Sequence, residues 1–379
     1  MNILHVYRTY YPDTQGGLEE AIRQICLNTK PYNIESQVHT LSADPIPAIV
    51  HREEAIVHRS KRSLEVASCG FGVKALLHFR RLTNWADIIH YHFPWPYADL
   101  MHFMARVNKP TILTYHSDIV RQKGLLCIYR PLMIRFLFSV DRIVCTSPNY
   151  FKTSQVLKQF AAKVETVPIG VDESSYPQVN DLFLEDVRRI YGEGFFLFVG
   201  NLRYYKGLHI LLEAIKGANF MVVIVGAGPI ERELKQQAMK LQLNNVIFTG
   251  FVSDEVKVAL FRLCRSVVFP SYLRSEAFGV TLVEGAMFSK PLISTEIGSG
   301  TSHVNIHGET GVVVPPSDPV KLREAMEWVY VHPSDANALG ANARERFERH
   351  FTGRLMGKKY AGLYRELLMR TDVELQLAD

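Results

Sequence analysis

The sequence predicts an α/β fold made of two serial, doubly wound parallel-sheet domains, and three observations carry that prediction. Short β-rich runs alternate with helical patterns from end to end. The alternation breaks once, near Pro168-Ile169-Gly170-Val171-Asp172, and restarts at Phe195. The chain has 379 residues, long for one domain and comfortable for two.

In the first half the strand candidates are Ile3–Val6, Val38–Leu41, Ile88–Tyr91, Thr111–Tyr115, Arg142–Thr146 and Val164–Val167. Between the first two, Leu18, Ala21, Ile22, Ile25 and Cys26 fall on one face of a helix. The polar stretch 173–194 reads as a linker. The second series is Phe195–Val199, Met221–Val225, Val246–Thr249, Ser266–Phe269, Pro291–Ser294 and Gly311–Val314. Asp318-Pro319 supplies an N-cap and a first-turn proline for the next helix. The last helices are expected near Ser334–Arg349 and Leu355–Met369, with a tail after Arg370. The domains are therefore 1–172 and 195–351, with a helix over about 352–370 packing back on the first. Two such domains imply a cleft, with functional residues in the loops that follow strands.

Composition narrows the function. Hydrophobic residues make up 47% of the chain and the formal net charge is +5, as in a globular protein with sizeable cores. A mild positive charge suits a phosphate-bearing substrate or an anionic surface, and a bland basic surface equally well. It is too weak to argue for nucleic acid. Cys26, Cys69, Cys127, Cys145 and Cys264 are scattered and form no Cys-x-x-Cys metal motif, so they read as free thiols in a reducing compartment. No run of eighteen apolar residues occurs, and Ile3-Leu4-His5-Val6 reads as a strand rather than a signal peptide. A cytoplasmic protein is the expectation.

Three constellations follow strands. Gly16-Gly17 opens the first helix, where free backbone amides suit a phosphate, although a plain strand-to-helix turn explains it equally well. Arg203 and Lys206 lie in Gly200-Asn201-Leu202-Arg203-Tyr204-Tyr205-Lys206-Gly207. They can neutralise a departing diphosphate, or they can be solvated surface cations. The sharpest is Ser275-Glu276-Ala277-Phe278-Gly279-Val280-Thr281-Leu282-Val283-Glu284. Glu276 precedes an apolar helix and Glu284 lies about two turns into it. A carboxylate among Leu282, Val283, Ala286 and Met287 needs a partner or a ligand.

This glutamate spacing resembles the signature of the family-four retaining glycosyltransferases, which have the GT-B architecture. The Gly-Gly loop, Pro168 to Asp172, Lys206-Gly207, Val225-Gly226-Ala227-Gly228-Pro229, Thr249-Gly250-Phe251 and Gly311 to Pro316 follow in the family's order over nearly the whole chain. The resemblance implies that Glu276 faces the reacting carbon of a donor sugar. It implies that Ala277, Phe278, Gly279, Val280 and Thr281 hold sugar and phosphate through their amides. Glu284 would grip ribose hydroxyls, Arg203 and Lys206 the diphosphate, and Gly16-Gly17 would lend an amide. His116, in Thr114-Tyr115-His116-Ser117-Asp118, matches the family histidine near the donor sugar.

Two departures narrow the resemblance. Asn201 stands where the family often has arginine, and no acid lies near Ser302, where many members have one. This variant resembles a bacterial subgroup that builds O-antigen polysaccharide from GDP-mannose. The implied reaction is metal-free transfer with retention, in which a leaving-group oxygen takes the acceptor proton. No Asp-x-Asp motif occurs, and no cofactor beyond the nucleotide-sugar substrate is implied.

On the acceptor side, Tyr91, His92 and Trp95 end a strand, and their rings suit stacking on sugars or packing between domains. Arg59, Lys61, Arg62, Lys74, Arg80 and Arg81, with the apolar stretch around Leu125 to Phe138, suggest peripheral docking on an anionic leaflet that carries a lipid-linked glycan. An ordinary solvated face over a core helix is the alternative. Among rival functions, a dinucleotide oxidoreductase would need a third glycine where Glu231 stands and an acid after Val246–Thr249, and both are missing. A nucleotide-sugar epimerase, a UDP-sugar transferase and an inactive scaffold complete the alternatives. Intact Glu276 and Glu284 argue against the scaffold.

Overall fold

The computed structural model describes residues 1–66, 69–119 and 123–378. The chain forms two units, Met1–Gly170 with Gly353–Asp379, and Val171–Thr352.

The first unit contains β1 (Asn2–Val6), β2 (Glu35–Ser42), β3 (Ile49–His51), β4 (Ile56–Lys61), β5 (Leu64–Val66), β6 (Cys69–Phe71), β7 (Ile88–Phe93), β8 (Thr111–Tyr115), β9 (Arg142–Cys145) and β10 (Val164–Thr166). Eight of them form a sheet in the order β10-β9-β8-β7-β1-β2-β4-β3. Only β3 pairs antiparallel within it, and β5 and β6 pair separately. Every side chain of β7 and β8 is buried, as expected of parallel strands covered on both faces.

The helix Gly353–Ala378 belongs to this unit and packs on the helix Gly17–Thr29. A Cβ at Gly357 would lie 2.0 Å from the Asn28 carbonyl oxygen, so only glycine permits this approach. The helix replaces the tail expected after Arg370; its i, i+4 aromatic pair Tyr360 and Tyr364 is buried against the sheet.

The second unit contains β11 (Phe196–Val199), β12 (Val222–Val225), β13 (Val246–Gly250), β14 (Ser266–Phe269), β15 (Leu292–Thr295) and β16 (Gly311–Val314). Its sheet is wholly parallel, in the order β13-β12-β11-β14-β15-β16. The direction of winding reverses between β11 and β14, which is where ligands bind in open parallel sheets. The stretch 173–194 is not a linker. It lies in this unit and holds the helix Asp181–Tyr191, capped by Asn180 Oδ1 accepting from the Phe183 amide. Its polarity reflects an outward face, since Val187 is its one buried residue. Among the described residues, no helix is long and apolar enough to cross a membrane.

Candidate active site

The loops after β11 and β14, on either side of the switch point, carry the charges that the sequence singles out. Gly207 has φ 72°, and a Cβ there would lie 2.0 Å from the Pro270 carbonyl oxygen. The glycine thus lets the first loop lie directly against the second. The outcome is an ion pair between Lys206 Nζ and Glu276 Oε2 at 2.5 Å, with both side chains about nine-tenths buried. That oxygen has no aligned hydrogen bond, so the contact is one of charge alone. Lys206 Nζ also sits 4.4 Å from the centroid of the Phe269 ring.

Two residues after Glu276, Phe278 is buried. Gly279, at φ 87°, then starts the helix Val280–Met287 with no side-chain cap. The helix entrance therefore leaves first-turn amides for an anion. Thr281 is held by its hydroxyl, which donates to the Val199 carbonyl over 3.0 Å. Ala277 accepts from the Gly300 amide at 2.7 Å, which ties the loop to the segment after β15.

Glu284 is 5% exposed and does have partners. The Tyr176 hydroxyl donates to Oε1 over 2.9 Å, and Lys257 Nζ lies 3.3 Å from the same oxygen. Sequence reasoning missed both partners. Tyr176 falls in the supposed linker, and Lys257 lies on the helix Asp254–Leu263 with nothing local to single it out. Arg203 is exposed and makes no ion pair among the described residues, unlike Lys206.

In the first unit, Gly16 caps the helix Gly17–Thr29 in extended conformation with no side-chain cap. The carboxylate of Glu19, 8% exposed, accepts from Thr9 Oγ1 at 2.9 Å and Thr14 Oγ1 at 2.7 Å, beside this helix entrance. The loop before it is anchored by Asp13, whose two oxygens take Arg59 Nη2 at 2.6 Å and Arg59 Nε at 3.0 Å. Arg59 also donates to the Pro47 and Asp44 carbonyls. It is therefore a buried brace and not one of the surface cations that the sequence suggested.

His116 follows β8 and is 4% exposed. Its Nε2 lies 3.0 Å from His92 Nδ1, and His92 Nε2 lies 3.0 Å from His5 Nδ1. Strand alternation explains the alignment. His90 and His92 share one face of β7, and Thr114 and His116 continue one face at β8. Parallel register then sets His5 opposite His90 and His92 opposite Thr114. The Tyr364 hydroxyl meets His90 Nδ1 at 2.7 Å, and Thr114 Oγ1 meets His90 Nε2 at 2.7 Å. Burial pushes the imidazoles of His5 and His116 down to about 3, and those of His90 and His92 well below the usual value, so all four are neutral near pH 7.

His5, His90 and His92 each offer a nitrogen within 4.8 Å of the others, a spacing that a metal ion could use. Both ring nitrogens of His90 and of His92 are already hydrogen-bonded, however, so the cluster is organised as a hydrogen-bond network.

The acceptor-side aromatics are corrected by burial. Tyr91 and Trp95 are each 1% exposed; the Tyr91 hydroxyl pairs with His102 Nδ1, and Trp95 Nε1 donates to the Gly70 carbonyl. Neither ring is free to stack on a sugar. His92 is likewise buried and serves His116 instead.

Two doubly wound parallel sheets, with paired charges at the switch point of the second, define a glycosyltransferase of the GT-B class. Residues 15–175 match the family described as Glycosyltransferase Family 4, and residues 184–346 match Glycosyl transferases group 1. The D-rhamnosyltransferase WbpZ of Pseudomonas aeruginosa is 53% identical over 93% of this chain and 92% of its own. The O-antigen chain mannosyltransferase C of Escherichia coli is 48% identical over 97% of this chain and 99% of its own. Among solved structures, sucrose-phosphate synthase from Thermosynechococcus elongatus superposes with a TM-score of 0.80 at 21% identity, over 97% of this chain and 99% of its own. The lipopolysaccharide glycosyltransferase WaaG gives 0.70 at 15% identity, over 96% and 99%; at such identities the likeness speaks for the fold. The chain belongs to the family-four glycosyltransferases.

Proposed function

We propose that this protein transfers mannose from GDP-mannose, with retention at the anomeric carbon and without a metal ion, to a lipid-linked glycan in O-antigen synthesis. The observation that carries the reading is the Lys206–Glu276 pair beside the uncapped entrance of the helix that holds Glu284. In this reading Lys206 and the first helical amides stabilise the departing diphosphate, and exposed Arg203 swings in to assist. Glu276 accepts hydrogen bonds from sugar hydroxyls and faces the positive charge that grows on the ring. The acceptor attacks the face that the diphosphate leaves, and a phosphate oxygen takes its proton. Glu284, oriented by Tyr176 and Lys257, holds the ribose hydroxyls. The Gly17 amide contributes to the phosphate, and neutral His116 donates a hydrogen bond to the transferred sugar.

The donor assignment is supported by the mannosyltransferase relative. The rhamnosyltransferase relative favours a second reading, because D-rhamnose is 6-deoxy-D-mannose and the two sugars differ only at C6. A thermal-shift panel of GDP-mannose, GDP-D-rhamnose and UDP- and ADP-sugars separates them, since a ligand of the folded state raises its melting point. The largest rise is expected with GDP-mannose. A larger rise with GDP-D-rhamnose transfers the assignment to that sugar, and one with a UDP-sugar overturns the guanosine donor.

Membrane docking is the last part of the proposal. The packed helices Val73–Trp85, Pro96–Ala105 and Lys123–Ser139 expose Val73, Leu77, Met104, Ile128 and Phe138. Lys74, Arg80, Arg81, Arg130 and Arg135 are exposed on the same helices. Apolar side chains set among cations suit an anionic leaflet. Co-sedimentation with vesicles rich in anionic phospholipid, lost in 0.5 M salt at roughly a 4 Å screening length, is the expected result. Equal binding to neutral vesicles would exclude this electrostatic docking.

A further inference from the structure

We infer that His5 and His92 are positioning residues: they form a directional hydrogen-bond relay that holds His116 as its Nδ1–H tautomer, with that N–H free for the sugar. The inference rests on the reading of His116 as a residue that donates to the sugar.

The relay has three members and two hydrogen bonds, His5 Nδ1 to His92 Nε2 and His92 Nδ1 to His116 Nε2, each 3.0 Å. A neutral imidazole carries one N–H and one lone pair, so fixing the proton on one ring fixes all three. Only two arrangements keep both bonds. In the first, each ring is protonated at Nδ1: His5 donates to His92 and His92 donates to His116. In the second, each ring is protonated at Nε2 and the donors run the other way.

The inner end of the relay decides between them. His5 Nε2 is buried and has no hydrogen-bond partner. The second arrangement would place a proton on that nitrogen and bury an orphan N–H; the first leaves only an unshared lone pair there. Orphan N–H groups are the rarer and costlier of the two. The outer end agrees, because among the described residues His116 Nδ1 makes no hydrogen bond while Nε2 is occupied. The first arrangement thus carries a donor to the one ring nitrogen of the relay that is left for a substrate.

The rings are also kept from turning. His90 stacks on His92 at 4.3 Å between centroids, and His5 lies 4.8 Å from His90. His90 is itself clamped between the Tyr364 hydroxyl and Thr114. A flip of His92 would cost it both relay bonds. Neutrality of all three rings is needed for one-directional donation, and their complete burial supplies it.

The test is nitrogen NMR on the full chain with 15N-labelled histidine rings, in which protonated and unprotonated ring nitrogens resonate in separate ranges. In the wild-type protein His116 is expected as the Nδ1–H form. His92→Phe keeps the stacked ring but removes the donor, and is expected to release His116 into a mixture with the Nε2–H form. Asparagine places an amide nitrogen near the position of Nδ1, so His92→Asn is expected to restore the Nδ1–H form.

Activity should follow the tautomer. His92→Phe is expected to lower kcat about 10- to 100-fold with donor KM within about threefold, as loss of a group that orients a functional imidazole does; His92→Asn should recover most of kcat. If His92→Phe does not fold, His5→Phe serves, with a smaller change in the same direction. Finding His116 as Nε2–H in the wild type, or unchanged in His92→Phe, overturns the relay. If instead the tautomer shifts as stated while His116→Ala transfers sugar at the wild-type rate, the relay stands and the role given to His116 fails.

Discussion

The two units carry opposite kinds of electrostatics. The second gathers full charges, Lys206 against Glu276 at the switch point of its sheet and Lys257 against Glu284 along the helix that follows. The first aligns neutral imidazoles along three adjacent strands and uses an ion pair, buried Arg59 with partly buried Asp13, to brace a loop. Formal charge suits the roles proposed for the second unit, Lys206 at a departing diphosphate and Glu276 at a ring that gains positive charge. Uncharged, directional donors suit the unit read as meeting sugar hydroxyls, where geometry matters more than field strength.

The sharpest way to break this comparison is at Glu276. Glu276→Gln keeps the shape of the side chain and removes its charge; transfer should fall about 10³-fold in a radiolabelled-sugar assay. Activity near the wild-type level would remove the reason for the charged site.

Next in size is the brace. Arg59→Met should cost about 2–3 kcal/mol of unfolding free energy in a urea melt, because Asp13 and two carbonyls lose a buried partner. An unchanged midpoint would return Arg59 to the surface cations. At Glu284, alanine should raise the Kd for GDP-mannose about 30-fold while kcat changes little, a split that would distinguish holding the nucleotide from chemistry.

The buried histidines of the first unit also make its stability depend on pH. The folded pKa values of His5, His39 and His116, about 3, lie below the usual 6.5. As pH falls below 6.5 the unfolded chain therefore takes up protons that the folded chain refuses. Stability is complete above about pH 6.5 and is lost progressively toward about 3, by up to roughly 1.4 kcal/mol per pH unit for each such histidine. Urea melts at pH 7 and pH 5 should show the loss, and His92→Phe should reduce it. A flat profile over that range would contradict neutral burial of the cluster.

The contrast also explains what could be read from the sequence. Thr111–Tyr115 and Ser266–Phe269 stand where their apolar runs predict them, because strands buried on both faces need little else. Glu284 stands out in the sequence because a charge inside an apolar helix is locally anomalous, whereas Lys206 and Glu276 come to notice through the ordered family resemblance. Strands β3 to β6 were missed. Ile56–Lys61 ends in Arg59-Ser60-Lys61, and the burial of Arg59 depends on Asp13, 46 residues away. Tyr176 and Lys257 escaped for the same reason, since only the fold brings them to Glu284. The histidine relay left a trace in His90-x-His92 and Thr114-x-His116, but its meaning depends on strand register, which no local pattern carries. Tyr91 and Trp95 were misread because strand-end aromatics look alike whether they face a cleft or a core.

In the proposed reaction Lys206 and Glu276 act on different parts of one donor, phosphate and sugar. Calorimetric titration of GDP, which has the phosphates but no sugar, tests it most directly. Lys206→Ala should weaken binding about 10- to 100-fold, while Glu276→Gln, by removing a negative charge beside the lysine, should bind GDP as tightly as the wild type or more tightly. Equal weakening in both variants, or undiminished binding in Lys206→Ala, would contradict it.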